Sequence, residues 1–108
     1  MSFLVTLVQE AQDDIERLFE FALQRELISP SGDVSKAHRA AESIYDGIKL
    51  LERYPFTCRK AAQGRLGPLH RELVIPSGSS GYVALFEILD GERVLVTAIP
   101  QQREDDYR

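Results

Sequence analysis

The stretch that decides the fold is YVALFEILDGERVLVTAI, residues 82–99. Two runs of apolar and β-branched residues flank Asp90 and Gly91 within it. Such runs favour strands, and an Asp-Gly pair readily supplies the positive φ angles of a type I′ turn. We therefore expect a β-hairpin with a two-residue turn, in which Leu89 pairs with Glu92.

The residues before this hairpin predict a strand, two helices and a further strand. Residues 3–8 form a short apolar run that is typical of a buried strand. Apolar residues then recur at helical spacing from Gln9 to about Leu27 and from about Val34 to Arg53, on either side of the turn-forming cluster 29–33. Residues 69–76 favour another strand. The predicted order is β-α-α-β-β-β, an α+β fold in which a helical hairpin packs on a small, mainly antiparallel sheet.

The predicted strand pairing also divides the hairpin side chains between two faces, both of them largely apolar. One helical hairpin can cover only one face of a small sheet. We therefore expect a partner to cover part of the other face, although scattered exposed apolar residues are also common in proteins without a partner. The predicted groove for this partner is lined by Tyr82, Phe86, Leu95 and Thr97.

Size and composition indicate one globular domain, spanning residues 1–108, with 44% apolar and 28% charged residues. The net charge of −4 argues against general affinity for nucleic acid. The amino terminus has no signal-peptide pattern, and no apolar run approaches the roughly 20 residues that cross a bilayer. We expect neither export nor membrane insertion, and the single cysteine fits a reducing cytoplasm.

Residues 58–72 form a basic segment within this acidic chain, with Glu72 as its only acid. Guanidinium groups can hold phosphate through paired hydrogen bonds and can stabilise the charge that develops during RNA cleavage. A solvated surface connection has a similar composition, and spacing alone favours that second interpretation. The basic residues and the histidine of the segment are Arg59, Lys60, Arg65, His70 and Arg71.

The metal-ligating residue types are few and scattered. His38 and His70 lie on different predicted elements, and together with Cys58 they lack the number and spacing of a zinc site. No P-loop, dinucleotide-binding or nucleophile-elbow glycine motif is present. We expect no metal and no cofactor, and we expect Cys58 to be a buried, inert thiol.

The last eight residues, 101–108, read QQREDDYR and form a charged tail. A frayed terminus is the commoner outcome for such a sequence. Alternatively, the carboxylates of the tail could pair with the basic segment and moderate it until a partner binds. The residues themselves leave both alternatives open.

Three quoted stretches resemble one family: IYDGIKLLERYP at 44–55, LHRELVIPSGSSGYVALFEI at 69–88 and VLVTAIPQQREDDYR at 94–108. Together they are similar to the RelE/ParE family of type II toxin-antitoxin toxins, which includes plasmid stabilisation proteins. The resemblance implies a helical hairpin on a small antiparallel sheet. It also implies a cognate antitoxin whose carboxy-terminal segment folds along the toxin surface in a hetero-oligomer, so that another chain would complete the domain.

The family divides by target, and one position bears on the division. RelE-like members are ribosome-dependent endoribonucleases that cleave messenger RNA, whereas ParE-like members inhibit DNA gyrase. Relatives with this kind of ending often carry a basic residue or histidine where this chain has Gln101, which cannot shuttle a proton. The ParE-like branch is therefore favoured, with an inactive antitoxin-binding member as a third alternative.

The resemblance assigns candidate residues to each branch. In a nuclease, the catalytic candidates are Arg59, Lys60, Arg65, Arg71 and Tyr107. The candidate contacts to a target or to phosphate are Arg59, Lys60, Arg65, Arg71 and Arg103.

Overall fold

A two-helix layer lies on one face of a mixed sheet in the computed structural model. The structure describes residues 2–30, 32–60, 70–77 and 80–100, and the side chains at 59, 60, 77 and 80 lie outside this description. In chain order the elements are β1 (Leu4–Leu7), α1 (Gln9–Leu27), α2 (Ser35–Leu50), a 3₁₀ turn (Pro55–Thr57), β2 (Arg59–Lys60), β3 (His70–Ser77), β4 (Ser80–Ile88) and β5 (Arg93–Ala98).

The strands lie in the order β1-β5-β4-β3-β2. β1 pairs with β5 in parallel, and the other three pairings are antiparallel. The predicted α+β fold, with a helical hairpin on a mainly antiparallel sheet, is confirmed. The two-residue strand β2 is an addition that the sequence did not predict.

The two helices form where the apolar spacing predicted them. α1 has the predicted bounds, and it buries Ala11, Ile15, Leu18 and Ala22 along one stripe. α2 begins after Asp33, whose carboxylate accepts the backbone N–H of Ser35 at 3.1 Å. The side-chain hydrogen bond from Ser35 is the main reason that the pKa of Asp33 is lowered.

The core lies between the helices and one face of the sheet. It includes Phe86, Val94 and Val96 from the sheet, packed against the first half of α1 and the second half of α2. α2 approaches β3 closely at Gly47, where an added Cβ would lie 2.8 Å from Cγ1 of Ile75. A glycine at this position therefore lets the helix sit directly on the strand.

The hairpin between β4 and β5 differs from its predicted register by one residue. The backbone N–H of Leu89 donates to the carbonyl oxygen of Arg93 at 2.9 Å, which leaves a three-residue loop instead of a two-residue turn. The carboxylate of Asp90 accepts the N–H of Glu92 at 2.8 Å and the Nε–H of Arg93 at 3.0 Å, and these bonds hold the wider loop closed. The predicted positive φ at Gly91 is also wrong, since Gly32 is the one described glycine with positive φ.

This shift exchanges the two faces of β5. A one-residue change of register turns every side chain to the opposite face, because side chains alternate along a strand. Val94 and Val96 therefore point into the core, and Leu95 and Thr97 lie on the face that carries no helix. A register irregularity between Leu85 and Phe86 accommodates the change further along β4.

Candidate functional site

Arg71 lies at the centre of a small cluster beside the basic segment. Its Nη1 donates a hydrogen bond to the carbonyl oxygen of Cys58 at 2.7 Å. Its guanidinium carbon lies 5.7 Å from the ring centroid of Phe56, and Phe56 in turn meets Phe3 edge to face at 6.0 Å. We call Phe56, Cys58 and Arg71 the Arg71 cluster.

The chain between α2 and β2 is folded so that it reaches this cluster. Pro55 begins the 3₁₀ turn, and Thr57 closes it by donating from its N–H and its hydroxyl to the carbonyl oxygen of Tyr54, at 3.3 and 2.8 Å. Cys58 is then extended, with φ −78° and ψ 148°. The chain therefore enters β2 immediately after the carbonyl group that Arg71 holds.

The pairing of β2 with β3 brings part of the basic segment together. Arg59 is the register partner of Glu72, and Lys60 is the register partner of Arg71. The backbone at three of the four predicted basic positions, Arg59, Lys60 and Arg71, therefore lies on two paired strands. We call these three positions the basic patch. Arg65, the fourth, lies outside the described residues, as do Gln101, Arg103 and Tyr107.

Cys58 has the surroundings of an unreactive thiol. It is partly buried and packs against the core. Burial raises the pKa of the thiol, and the positive charge of Arg71 only partly opposes this effect. Nucleophilic cysteines need a lowered pKa, so Cys58 does not resemble one.

The histidines occupy separate places. His38 is exposed on α2, where its ring lies 5.2 Å from that of Phe19. His70 begins β3 and is the register partner of Glu87 on β4. In the part of the chain that the structure describes, no group of three or more His, Cys, Asp or Glu residues is placed to hold a metal ion.

The four residues predicted to line a partner groove do not share a face. Phe86 is 0% exposed and belongs to the core, and Tyr82 packs against the same core. Leu95 and Thr97 are half-buried on the opposite face of the sheet. The prediction of one shared face was wrong because it depended on the two-residue turn.

The end of the helical hairpin where α1 leads into α2, called the far end below, exposes apolar side chains that the sequence reasoning missed. Phe21 is 50% exposed, Leu27 is 63% exposed and Ile28 is 86% exposed. Arg25 lies over the ring of Phe21 at 5.8 Å. The signal was available, because Phe21 and Leu27 fall off the apolar stripe of α1 that packs on the sheet.

A buried polar contact fixes the end of β5. Asp14 on α1 accepts the backbone N–H of Ile99 through Oδ2 at 2.8 Å, and its other oxygen pairs with Arg17. The structure shows that Asp14 also anchors the last described residues.

A family model gives the chain its relationship to known proteins. The model described as the ParE toxin of the type II toxin-antitoxin system, parDE, matches residues 5–106. The chain belongs to the ParE toxin family. This ParE-family chain also resembles a solved structure, the chromosomal ParDE TA system from P. aeruginosa, at 15% identity. The TM-score is 0.67, with 94% of this chain and 98% of the other chain covered.

Two further observations complete the comparison. No curated protein sequence matches this ParE-family chain significantly. None of the helices among its described residues has the length and apolarity needed to cross a membrane.

Proposed function

We propose that this ParE-family chain inhibits bacterial growth by binding DNA gyrase and that a cognate antitoxin neutralises it. The observation that carries the proposal is the ParE family match over residues 5–106. Inhibition of gyrase is what the resemblance to ParE-like members implies. The basic patch of β2 and β3 is the proposed contact surface.

The chemistry of the Arg71 cluster supports binding more than RNA cleavage. General acid–base catalysis needs a group that can give or take a proton near neutral pH. Guanidinium groups do not exchange protons in general acid–base roles in proteins, and burial raises the pKa of the Cys58 thiol, so the cluster lacks a group suited to that task. The cations of the segment that the cluster holds can still attract a negatively charged surface of a target protein.

His70 favours the alternative function, a RelE-like ribosome-dependent messenger RNA endoribonuclease. It precedes Arg71 on β3 and could supply the proton-transferring group that the cluster lacks. Successive residues on a strand face opposite sides of the sheet, so the imidazole and the guanidinium do not converge directly. This geometry makes the nuclease the second candidate.

Two assays on the same protein preparation decide between these functions. The purified chain should inhibit gyrase supercoiling and leave ribosome-bound messenger RNA intact. RNA cuts that disappear in His70→Gln, with supercoiling unaffected, would establish the nuclease. Growth that continues normally during expression without antitoxin would indicate an inactive family member.

The antitoxin surface is proposed to include the far end of the helical hairpin. Exposed Phe21, Leu27 and Ile28 offer apolar area that one further helix or extended segment could bury. A Phe21→Ala, Leu27→Ala variant should co-purify with less of the neighbouring gene product than wild type does. Leu95→Ala, Thr97→Ala is the matched comparison, and a loss confined to that second variant would place the antitoxin on the helix-free face.

A further inference from the structure

We propose that Arg71 is a positioning residue, which fixes the backbone of residues 58–60 so that Arg59 and Lys60 can contact the target. This inference rests on the proposed growth-inhibiting function and on the basic patch as its contact surface. It changes the role of Arg71, which the sequence had suggested as a direct contact to target or phosphate.

The contacts of the guanidinium carry the inference. One N–H group is bound to the carbonyl oxygen of Cys58, at 2.7 Å, and the ring of Phe56 lies 5.7 Å from the guanidinium carbon. Arg71 is partly buried between these groups. One of its N–H donors and its contact with the Phe56 ring are therefore used within the protein to hold the chain that leads into β2.

The segment that Arg71 holds needs such support. In the described part of the chain β2 contains two residues, and β3 is the strand that pairs with it at the edge of the sheet. A two-residue strand gains little from its own ladder of hydrogen bonds. The contacts of Arg71 with Phe56 and Cys58 add a second attachment immediately before Arg59.

Lysine cannot reproduce this arrangement. The planar guanidinium of arginine can donate to a carbonyl group and contact an aromatic ring at the same time. The ammonium of lysine is a compact point charge on a flexible stem. Arg71→Lys therefore keeps the charge and removes the geometry. Phe56→Leu removes the ring without touching any charge, and Phe56→Tyr restores a ring.

The first measurement is amide hydrogen exchange of residues 58–60 in the full chain, which needs no knowledge of the target. Exchange should rise about tenfold in both Arg71→Lys and Phe56→Leu, because either change removes part of the attachment, and Phe56→Tyr should return it towards wild type. Tyr45→Leu is the matched control, since Tyr45 is another exposed aromatic residue outside the cluster. Unchanged exchange in Arg71→Lys would overturn the proposal.

The second measurement is the expression level that halves the growth rate, corrected for the folded fraction of each variant. Arg71→Lys and Phe56→Leu should each weaken growth inhibition. The double variant should inhibit growth as strongly as the less inhibitory of the two single variants does. Losses that multiply in the double variant would show that Phe56 and Arg71 contact the target separately, against the proposal. Failure to inhibit gyrase would contradict only the choice of target, because exchange and growth are read independently of it.

Discussion

The carboxylate of Asp14 holds the backbone N–H of Ile99 at 2.8 Å, which ties the second turn of α1 to the residue that follows β5. The contact is partly buried, and it joins two elements that are far apart in sequence. It also fixes the direction in which the chain leaves the sheet after Ala98.

The Asp14 contact predicts a specific loss of stability. Asp14→Ala should lower the free energy of unfolding by about 1–3 kcal/mol, because the N–H of Ile99 loses a charged acceptor in a partly buried place. Urea unfolding of the full chain measures this loss. Asp13→Ala is the control, since Asp13 is exposed and accepts a hydrogen bond from the side chain of Gln9 one turn earlier, and it should change stability by no more than about 0.5 kcal/mol. Equal losses in the two variants would contradict the prediction.

The close approach of α2 to β3 predicts that Gly47→Ala is destabilising. The new methyl group would meet Ile75 at 2.8 Å, and overpacking of this kind costs about 1–3 kcal/mol, against a gain of about 1 kcal/mol in helix propensity. A net loss in urea unfolding is therefore expected.

The matched control for this prediction is Gly91→Ala. An added Cβ at Gly91 has nothing within 4 Å and needs no positive φ, so its stability should stay within about 0.5 kcal/mol of wild type. Ile75→Ala, which removes Cγ1, should reduce the cost of Gly47→Ala in a double-mutant cycle. Strictly additive effects would show that the contact is absent.

The corrected register predicts which of the residues first assigned to the partner groove can be replaced at a smaller cost in stability. Phe86→Ala should cost about 3–5 kcal/mol, because Phe86 is fully buried among helix and sheet residues. Leu95→Ala should cost clearly less, since Leu95 is half-buried on the helix-free face. Thermal unfolding compares the two variants. A stable Phe86→Ala protein that loses its antitoxin would instead support the original groove.

The surroundings of Cys58 predict slow alkylation. Because burial raises the pKa of the thiol, the folded chain has a smaller thiolate fraction at any pH below that pKa than the unfolded chain has. Iodoacetamide should therefore label the native protein more slowly than the protein in urea. The labelling rate of the native protein should reach half its maximum at a pH above the ordinary range of cysteine pKa values. Equal labelling rates in the two states at pH 8 would contradict this prediction.

The sequence predicted the elements better than it predicted their alignment. Apolar spacing is a local property, so it gave the bounds of α1 correctly and located both strands of the hairpin. The register depended instead on the Asp90 carboxylate, which binds the N–H of Glu92 and so replaces the expected turn. One side-chain hydrogen bond thus decided which face Leu95 occupies.

The site was predictable in composition and not in geometry. Charge counting located the basic segment, and the structure places Arg59 opposite Glu72 and Lys60 opposite Arg71 on paired strands. The bond from Arg71 to a backbone carbonyl and its contact with Phe56 left no pattern in the sequence. Such contacts arise from how the 3₁₀ turn meets β3, which local propensity does not encode.

The parallel pairing of β1 with β5 has a consequence for synthesis on the ribosome. Among the described strands, β1 is made before the others and its neighbour β5 is made after them. Contacts between such distant segments are slow to form, because a long loop must close before they contribute. The described sheet therefore closes only after translation has passed β5, and β1 has no strand to pair with while α1, α2 and the strands between them and β5 are being made.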